Sequence, residues 1–141
     1  MARQLATIQL IREINPILKA DKIEVATILG WKVVVGKDEF KVGEAVIYCE
    51  VDSLFPLTEE FKFLEKFCSI KEMEDGSKGY RLKTVKLRGQ FSQGLVLPLS
   101  FLAGKKYPED VRTNPNYDFT IGKDVTPLLG VIQYQPPIPA N

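Results

Sequence analysis

Apolar and polar residues alternate through the first third of the chain, and that alternation predicts strands. Leu5 to Ile14 reads as one long strand with Ala6, Ile8 and Leu10 on a common side, because successive strand side chains face opposite ways. Asn15-Pro16 and Ala20-Asp21 break it and leave a short loop. A second run keeps Ile23, Val25, Thr27 and Leu29 in step, Gly30 permits a bend, and Trp31 to Val35 resumes as strand. After a turn at Gly43, where a positive φ costs little, Ala45 to Val51 forms the next strand.

The period then changes. Thr58, Glu59 and Glu60 lead into Phe61, Phe63, Leu64 and Phe67, a cap, an acidic first turn and apolar spacing that predict a helix of about ten residues. Ser69 to Gly79 is polar and reads as a mobile loop. Arg81 to Arg88 and Leu95 to Leu97 are strand-like again, the second almost wholly apolar, as in a strand covered on both faces. In the first of them the alternation slips. One extra residue near Thr84–Val85 would turn Leu82, Val85 and Leu87 inward and Arg81, Lys83, Lys86 and Arg88 outward, so a β-bulge is predicted there. Leu99–Ala103 can make a helical turn, and residues 104–120 read as a surface excursion. Thr126-Pro127-Leu-Leu-Gly130 predicts a one-turn helix with Pro at its start and Gly past its end, and Gln135 to Asn141 is an extended proline segment. The sum is mainly β: about five strands with one helix between the third and fourth. That is the composition of an OB-fold, a five-stranded, partly open Greek-key barrel.

Composition changes this picture little, but charge changes it more. The chain has 141 residues, 45% hydrophobic and 26% charged, enough for one domain with its own core. No apolar run approaches a membrane span, and the N-terminus lacks the apolar stretch of a signal peptide. Residues 1–75 hold 10 Lys/Arg against 14 Asp/Glu, residues 76–108 hold 7 against none, and residues 109–141 hold 2 against 4. A net charge of +1 thus hides one basic strip, which suits a polyanion that releases counterions on binding. The same strip also suits a solvated strand face that keeps an edge from aggregating.

Candidate chemistry is sparse. There is no histidine, which removes His-based triads and the commonest general base. Cys49 and Cys68 lack metal-ligand spacing and read as buried or half-buried thiols in a reducing compartment. Glu50 and Asp52, two apart on a strand, could hold a cation or simply form a solvated strand end. Trp31, Tyr48 and Tyr80 could stack on bases or pack in the core. Gly89 and Gly94 bracket Gln90 and Gln93, yet join strand to strand and so do not make a phosphate loop.

Three pieces, Ala20-Asp-Lys-Ile-Glu-Val-Ala-Thr27, Gly30-Trp-Lys-Val-Val-Val35 to Phe40-Lys-Val-Gly43, and Lys86-Leu-Arg-Gly-Gln-Phe-Ser-Gln-Gly-Leu95, occur in this order. Together they resemble the N-terminal OB domain of nick-sealing, ATP-dependent RNA ligases of the fifth RNA ligase family. Asp124 to Val131 with Tyr134-Gln-Pro-Pro137 resembles the segment that joins that domain to the catalytic one. The resemblance implies an OB module ahead of a C-terminal nucleotidyltransferase domain. Such enzymes use ATP and a divalent metal, Mg or Mn, to form a lysyl-adenylate. They pass AMP to the 5′-phosphate at a nick in duplex RNA or an RNA/DNA hybrid and join it to an RNA 3′-OH. This chain lacks the Lys-X-Asp-Gly motif of that chemistry. It is therefore expected to be a part of such an enzyme, unable to seal alone, with no catalytic residue, metal or cofactor of its own. The expected layout is an OB domain over residues 1–131 and a proline-rich linker over 132–141, in an intracellular monomer that does not touch membranes.

On that reading Arg81, Lys83, Lys86 and Arg88 contact phosphates, and Gln90, Ser92 and Gln93 hydrogen-bond sugar or phosphate oxygens. Lys32 and Lys37 are secondary candidates from a neighbouring strand. Two alternatives stay open. The run Lys86 to Leu95 also resembles the tRNA-binding OB domains appended to aminoacyl-tRNA synthetases, and a barrel that meets an acidic protein partner would use the same basic strip.

Overall fold

The computed structural model describes residues 4–103 and 121–136, so the predicted excursion over 104–120 and the end of the proline segment lie outside the described residues. The strands are β1 (Ala6–Leu10), β2 (Glu13–Ile17), β3 (Ala20–Ile28), β4 (Trp31–Gly36), β5 (Ala45–Cys49), β6 (Ser53–Phe55), β7 (Ser69–Glu72), β8 (Lys78–Arg81), β9 (Val85–Leu87), β10 (Gln90–Ser92), β11 (Leu95–Pro98) and β12 (Ile132–Gln133). Among the described residues two short 3-10 helices cover Glu59–Lys66 and Leu99–Leu102, and one turn of α-helix, α1, covers Thr126–Leu129.

The barrel is wound from five runs of strand. β1 pairs with β5, and after a bend at Ile11–Arg12 the same run continues as β2 and pairs with β3. β3 pairs with β4 through the two-residue turn Leu29–Gly30, both at positive φ (52° and 82°), which matches the twist of a hairpin. β11 pairs with β5 from the other side. Between β4 and the β10–β11 run two hydrogen bonds bridge the seam, Gln93 N–H to Lys32 O at 2.8 Å and Val34 N–H to Ser92 Oγ at 2.9 Å. Past them no ladder joins β4 to β11, and the barrel is partly open there.

Ala45–Cys49 is uniformly apolar because β5 is covered on both faces. Val46 and Tyr48 point into the barrel with Ile11, Ala26, Ile28, Val33, Phe40 and Val96. Ile47 and Cys49 point outward into a second core with Leu5, Ile8, Phe55, Phe61, Leu64 and Leu129. The β12-β6-β8-β7 sheet, the first 3-10 helix and α1 close that outer core. Among the described residues no helix is long and apolar enough to cross a membrane.

Several local expectations change. The strand does not stop at Asn15-Pro16: β2 runs through Pro16, and a register shift at Pro16/Ile17 absorbs the proline. The inward face of β3 is Ala26 and Ile28, whereas Leu29 sits exposed in the turn. The predicted helix forms as 3-10 over Glu59–Lys66 and buries Phe61 and Leu64, three residues apart. Thr58 contributes no side-chain cap. That helix follows β6, and so comes after the fourth long strand rather than the third. Ser69 to Gly79 is a β7–β8 hairpin, not a mobile loop; β7 is exposed throughout, which erased its alternation. In place of a bulge at Thr84–Val85 the chain leaves one sheet for another. Leu82 is fixed by N–H to Ser53 O at 2.9 Å and by Asp52 N–H to its own carbonyl at 2.8 Å. β9 then starts a separate hairpin, on which Leu87 is exposed rather than inward. The α1 turn forms as read, with Gly130 left-handed at φ 70°. Thr126 does not cap it: its hydroxyl accepts Ala6 N–H at 2.9 Å and donates to Asp124 Oδ1 at 2.6 Å.

Candidate nucleic-acid interface

The break at residues 82–84 divides the basic strip into two places. Arg81 remains on β8, at the centre of a small cluster. Its guanidinium donates to Asp52 Oδ1 at 3.1 Å and lies over the Tyr134 ring, 4.8 Å from the centroid. The Arg81 Nε is buried without a partner. Arg81 was expected to face outward to phosphate; instead it holds the C-terminal segment, whose Tyr134 N–H donates to Asp52 O at 2.7 Å.

Lys83, Lys86 and Arg88 are exposed, and none has a carboxylate partner among the described residues. Lys86 and Arg88 ride on the β9–β10 hairpin, whose two-residue turn is Arg88–Gly89 with φ of 51° and 82°. That turn fixes the register Lys86↔Phe91, and the ammonium lies 5.3 Å from the Phe91 ring centroid. Phe91 itself is 56% exposed. Pattern reading missed it. Counting back from a two-residue Arg-Gly turn would have placed it opposite Lys86.

The polar candidates separate by burial. Gln90 is half-buried, with Nε2 donating to Phe91 O at 2.9 Å. Ser92 was expected at the surface but is buried, its Oγ accepting from Val34 N–H in the seam. The Gln93 backbone is structural, its N–H bound to Lys32 O and its carbonyl accepting from the Tyr48 hydroxyl at 2.7 Å. Gly94, at φ 121°, passes so close to Tyr48 that an added Cβ would lie 2.5 Å from Cε1. Lys32 and Lys37 are exposed at the two ends of β4, with Lys32 Nζ donating to Thr27 Oγ1 at 2.8 Å. The Lys32–Gln93 backbone bond sets Lys32 beside the end of β10, Lys83 precedes β9, and Arg81 stays on β8. Of the three aromatics considered for stacking, Tyr48 and Tyr80 are core and only Trp31 is exposed.

Among the described residues no three His, Cys, Asp or Glu side chains group to hold a metal ion. Asp52 is turned to Arg81 and lies in a left-handed turn at φ 71° beyond the end of β5, so it does not share a strand face with Glu50. Cys49 and Cys68 are free and buried. Burial pushes the Cys68 thiol up to about 11, against a smaller opposing pull from Lys83, and it pushes Cys49 higher still.

A family model described as an OB-fold domain matches residues 5–99, and the chain belongs to that family. Nearly the whole chain also has the fold of part of an RNA ligase. Naegleria gruberi RNA ligase with PPi matches at TM-score 0.75 and 38% identity, covering 99% of this chain and 37% of that one. An apo mutant of the same ligase gives 0.78 and 36% over 99% of this chain and 37% of that one. A mutant of it with ATP and Mn gives 0.75 and 37% over 95% and 36%. The chain therefore spans little more than a third of the solved chains it matches. No curated protein matches it.

Proposed function

We propose that this chain is the nucleic-acid-binding OB module of an ATP-dependent RNA ligase, and that it grips the duplex backbone around a 3′-OH/5′-phosphate nick. The observation that carries the reading is that Lys83, Lys86, Arg88 and Lys32, on the β9–β10 hairpin or on segments next to it, are exposed and have no carboxylate partner among the described residues. A phosphate backbone offers each of them a partner. Such contacts carry no base code, which suits an enzyme that must accept any nick. Lys37, at the far end of β4, extends the track, and Gln90 can add a hydrogen bond to a sugar or phosphate oxygen. Arg81 is left out of the grip, since releasing it would break its pairing with Asp52.

The likeness to an RNA ligase supports the assignment of the parent activity. Adenylate transfer with ATP and Mg or Mn belongs to a nucleotidyltransferase domain. Among the described residues no three His, Cys, Asp or Glu side chains group to hold the metal. Residues 1–131 carry the grip, and the segment beyond, anchored by β12 and Tyr134, leads toward that domain.

Titration of the 141-residue chain against nicked duplex RNA at several salt concentrations tests this. Each cation that meets a phosphate adds about 0.9 to the slope of log K against log salt. A slope near zero, or no binding at all, overturns the proposal.

A further inference from the structure

The hairpin that carries the cations also walls a recess. A cavity of about 300 Å³ lies under it, between β4 and the end of the first 3-10 helix. Its walls are Val34, Val85, Leu87 and the ring of Phe67, which is 45% exposed. Ser92 lines it from the seam and Lys83 lines it as its one charged residue. Buried Ser92 accepts from Val34 N–H and keeps its own proton to donate.

We infer that this recess holds one unpaired nucleobase, with Lys83 taking the phosphate beside it. The inference rests on the ligase-module reading and adds a base subsite to its backbone grip. The occupant follows from the chemistry of the lining. The apolar walls and the exposed Phe67 ring suit a flat, weakly polar body, and stacking of that kind tolerates every base. The spare hydroxyl proton of Ser92 calls for a ring nitrogen or carbonyl oxygen, which every base offers and an aliphatic side chain does not. The cation calls for an anion joined to that flat body. Val85 and Leu87 line the recess while Lys86 between them faces the other side of the hairpin over Phe91, so Lys83 is the cation left to meet the phosphate beside the base.

The test uses the 141-residue chain and nicked duplex RNA with one extra, unpaired nucleotide at the nick. The comparison is the same duplex carrying an abasic residue at that position. Wild-type chain is expected to bind the base-bearing duplex at least about fivefold more tightly, since base stacking is worth about 1–3 kcal/mol. Phe67→Ala should abolish the difference while leaving affinity for fully paired nicked duplex unchanged. Lys83→Ala should weaken both duplexes and preserve the ratio. Equal affinity for the base-bearing and abasic duplexes, with paired duplex still bound in a salt-dependent way, overturns the subsite and leaves the grip standing. Loss of all duplex binding by the wild-type chain overturns the grip and the subsite with it. A Phe67→Ala chain that keeps the full base preference, or one that loses paired duplex as well, also overturns the subsite. Tight capture of an apolar peptide together with indifference to the base would reassign the recess to a protein partner.

Discussion

Gly94 stands where β10 passes into β11 and the seam begins, and Gly94→Ala tests how the barrel is closed there. At φ 121° the residue occupies backbone that side chains avoid, at a cost of about 1–3 kcal/mol. An alanine Cβ would also lie 2.5 Å from Tyr48 Cε1, 2.7 Å from Cys49 O and 2.8 Å from the Tyr48 hydroxyl. Tyr48 is buried and Cys49 O is backbone, so neither can move aside cheaply, and forced overpacking adds about 1–3 kcal/mol. Displacing the Tyr48 hydroxyl gives up its bond to Gln93 O, worth about 1 kcal/mol. The expected loss is about 3–7 kcal/mol, a large share of the roughly 5–15 kcal/mol that stabilises a domain. Urea denaturation followed by circular dichroism reads it as a fall in midpoint at an unchanged slope. Gly89→Ala is the control. Its φ is 82°, but nothing lies within 4 Å of the added carbon, so only about 1 kcal/mol should be lost. A loss below about 1 kcal/mol for Gly94→Ala, or equal losses for the two, would refute the account of a seam locked by Tyr48.

Three further outcomes are expected. Replacing Lys86 and Arg88 together with Ala should reduce the salt slope on nicked duplex by about 1.8, evenly across sequences; an unchanged slope removes the hairpin from the interface. Arg81→Lys keeps the charge but loses the planar guanidinium. At the partial exposure of this pair, global stability should fall by less than about 1 kcal/mol. Amide exchange at Tyr134 should nevertheless quicken, and exchange identical to wild type would mean that Arg81 does not hold the tail. Cys68, with its pKa raised from 9.0 to about 11, binds its proton more tightly folded than unfolded. Its contribution to stability is therefore complete below pH 9 and is lost as pH climbs toward about 11. Iodoacetamide should label native chain slowly at pH 8, and rapid labelling there would contradict the burial.

The fate of the basic strip shows what a sequence can and cannot carry. Strands and turns were legible where the signal is local. Alternation marked β1, β4 and β5, and Gly30, Gly43 and Gly130 do adopt positive φ at turns or a helix end. The inner face of β3 was not legible, because both of its faces bear apolar residues. Ala26 and Ile28 fill the barrel, while Val25 is buried opposite Val34. Nor could the split between Arg81 and Lys83 be read from neighbours. It is made by hydrogen bonds from Leu82 to Ser53 and from Asp52 to Leu82, some thirty positions apart in sequence. Those two bonds separate Arg81 from Lys83, Lys86 and Arg88. They keep Arg81 on the sheet that receives the C-terminal segment, where Asp52 and Tyr134 engage it. They release the chain so that Val85–Leu87 can rise into its own hairpin, where Lys86 and Arg88 have no carboxylate partner among the described residues. Charge that reads as one patch in the sequence therefore has two places in the fold, one in an internal clasp and one exposed on the hairpin. Substitutions on the two sides of Leu82 should accordingly be additive in stability and separable in binding.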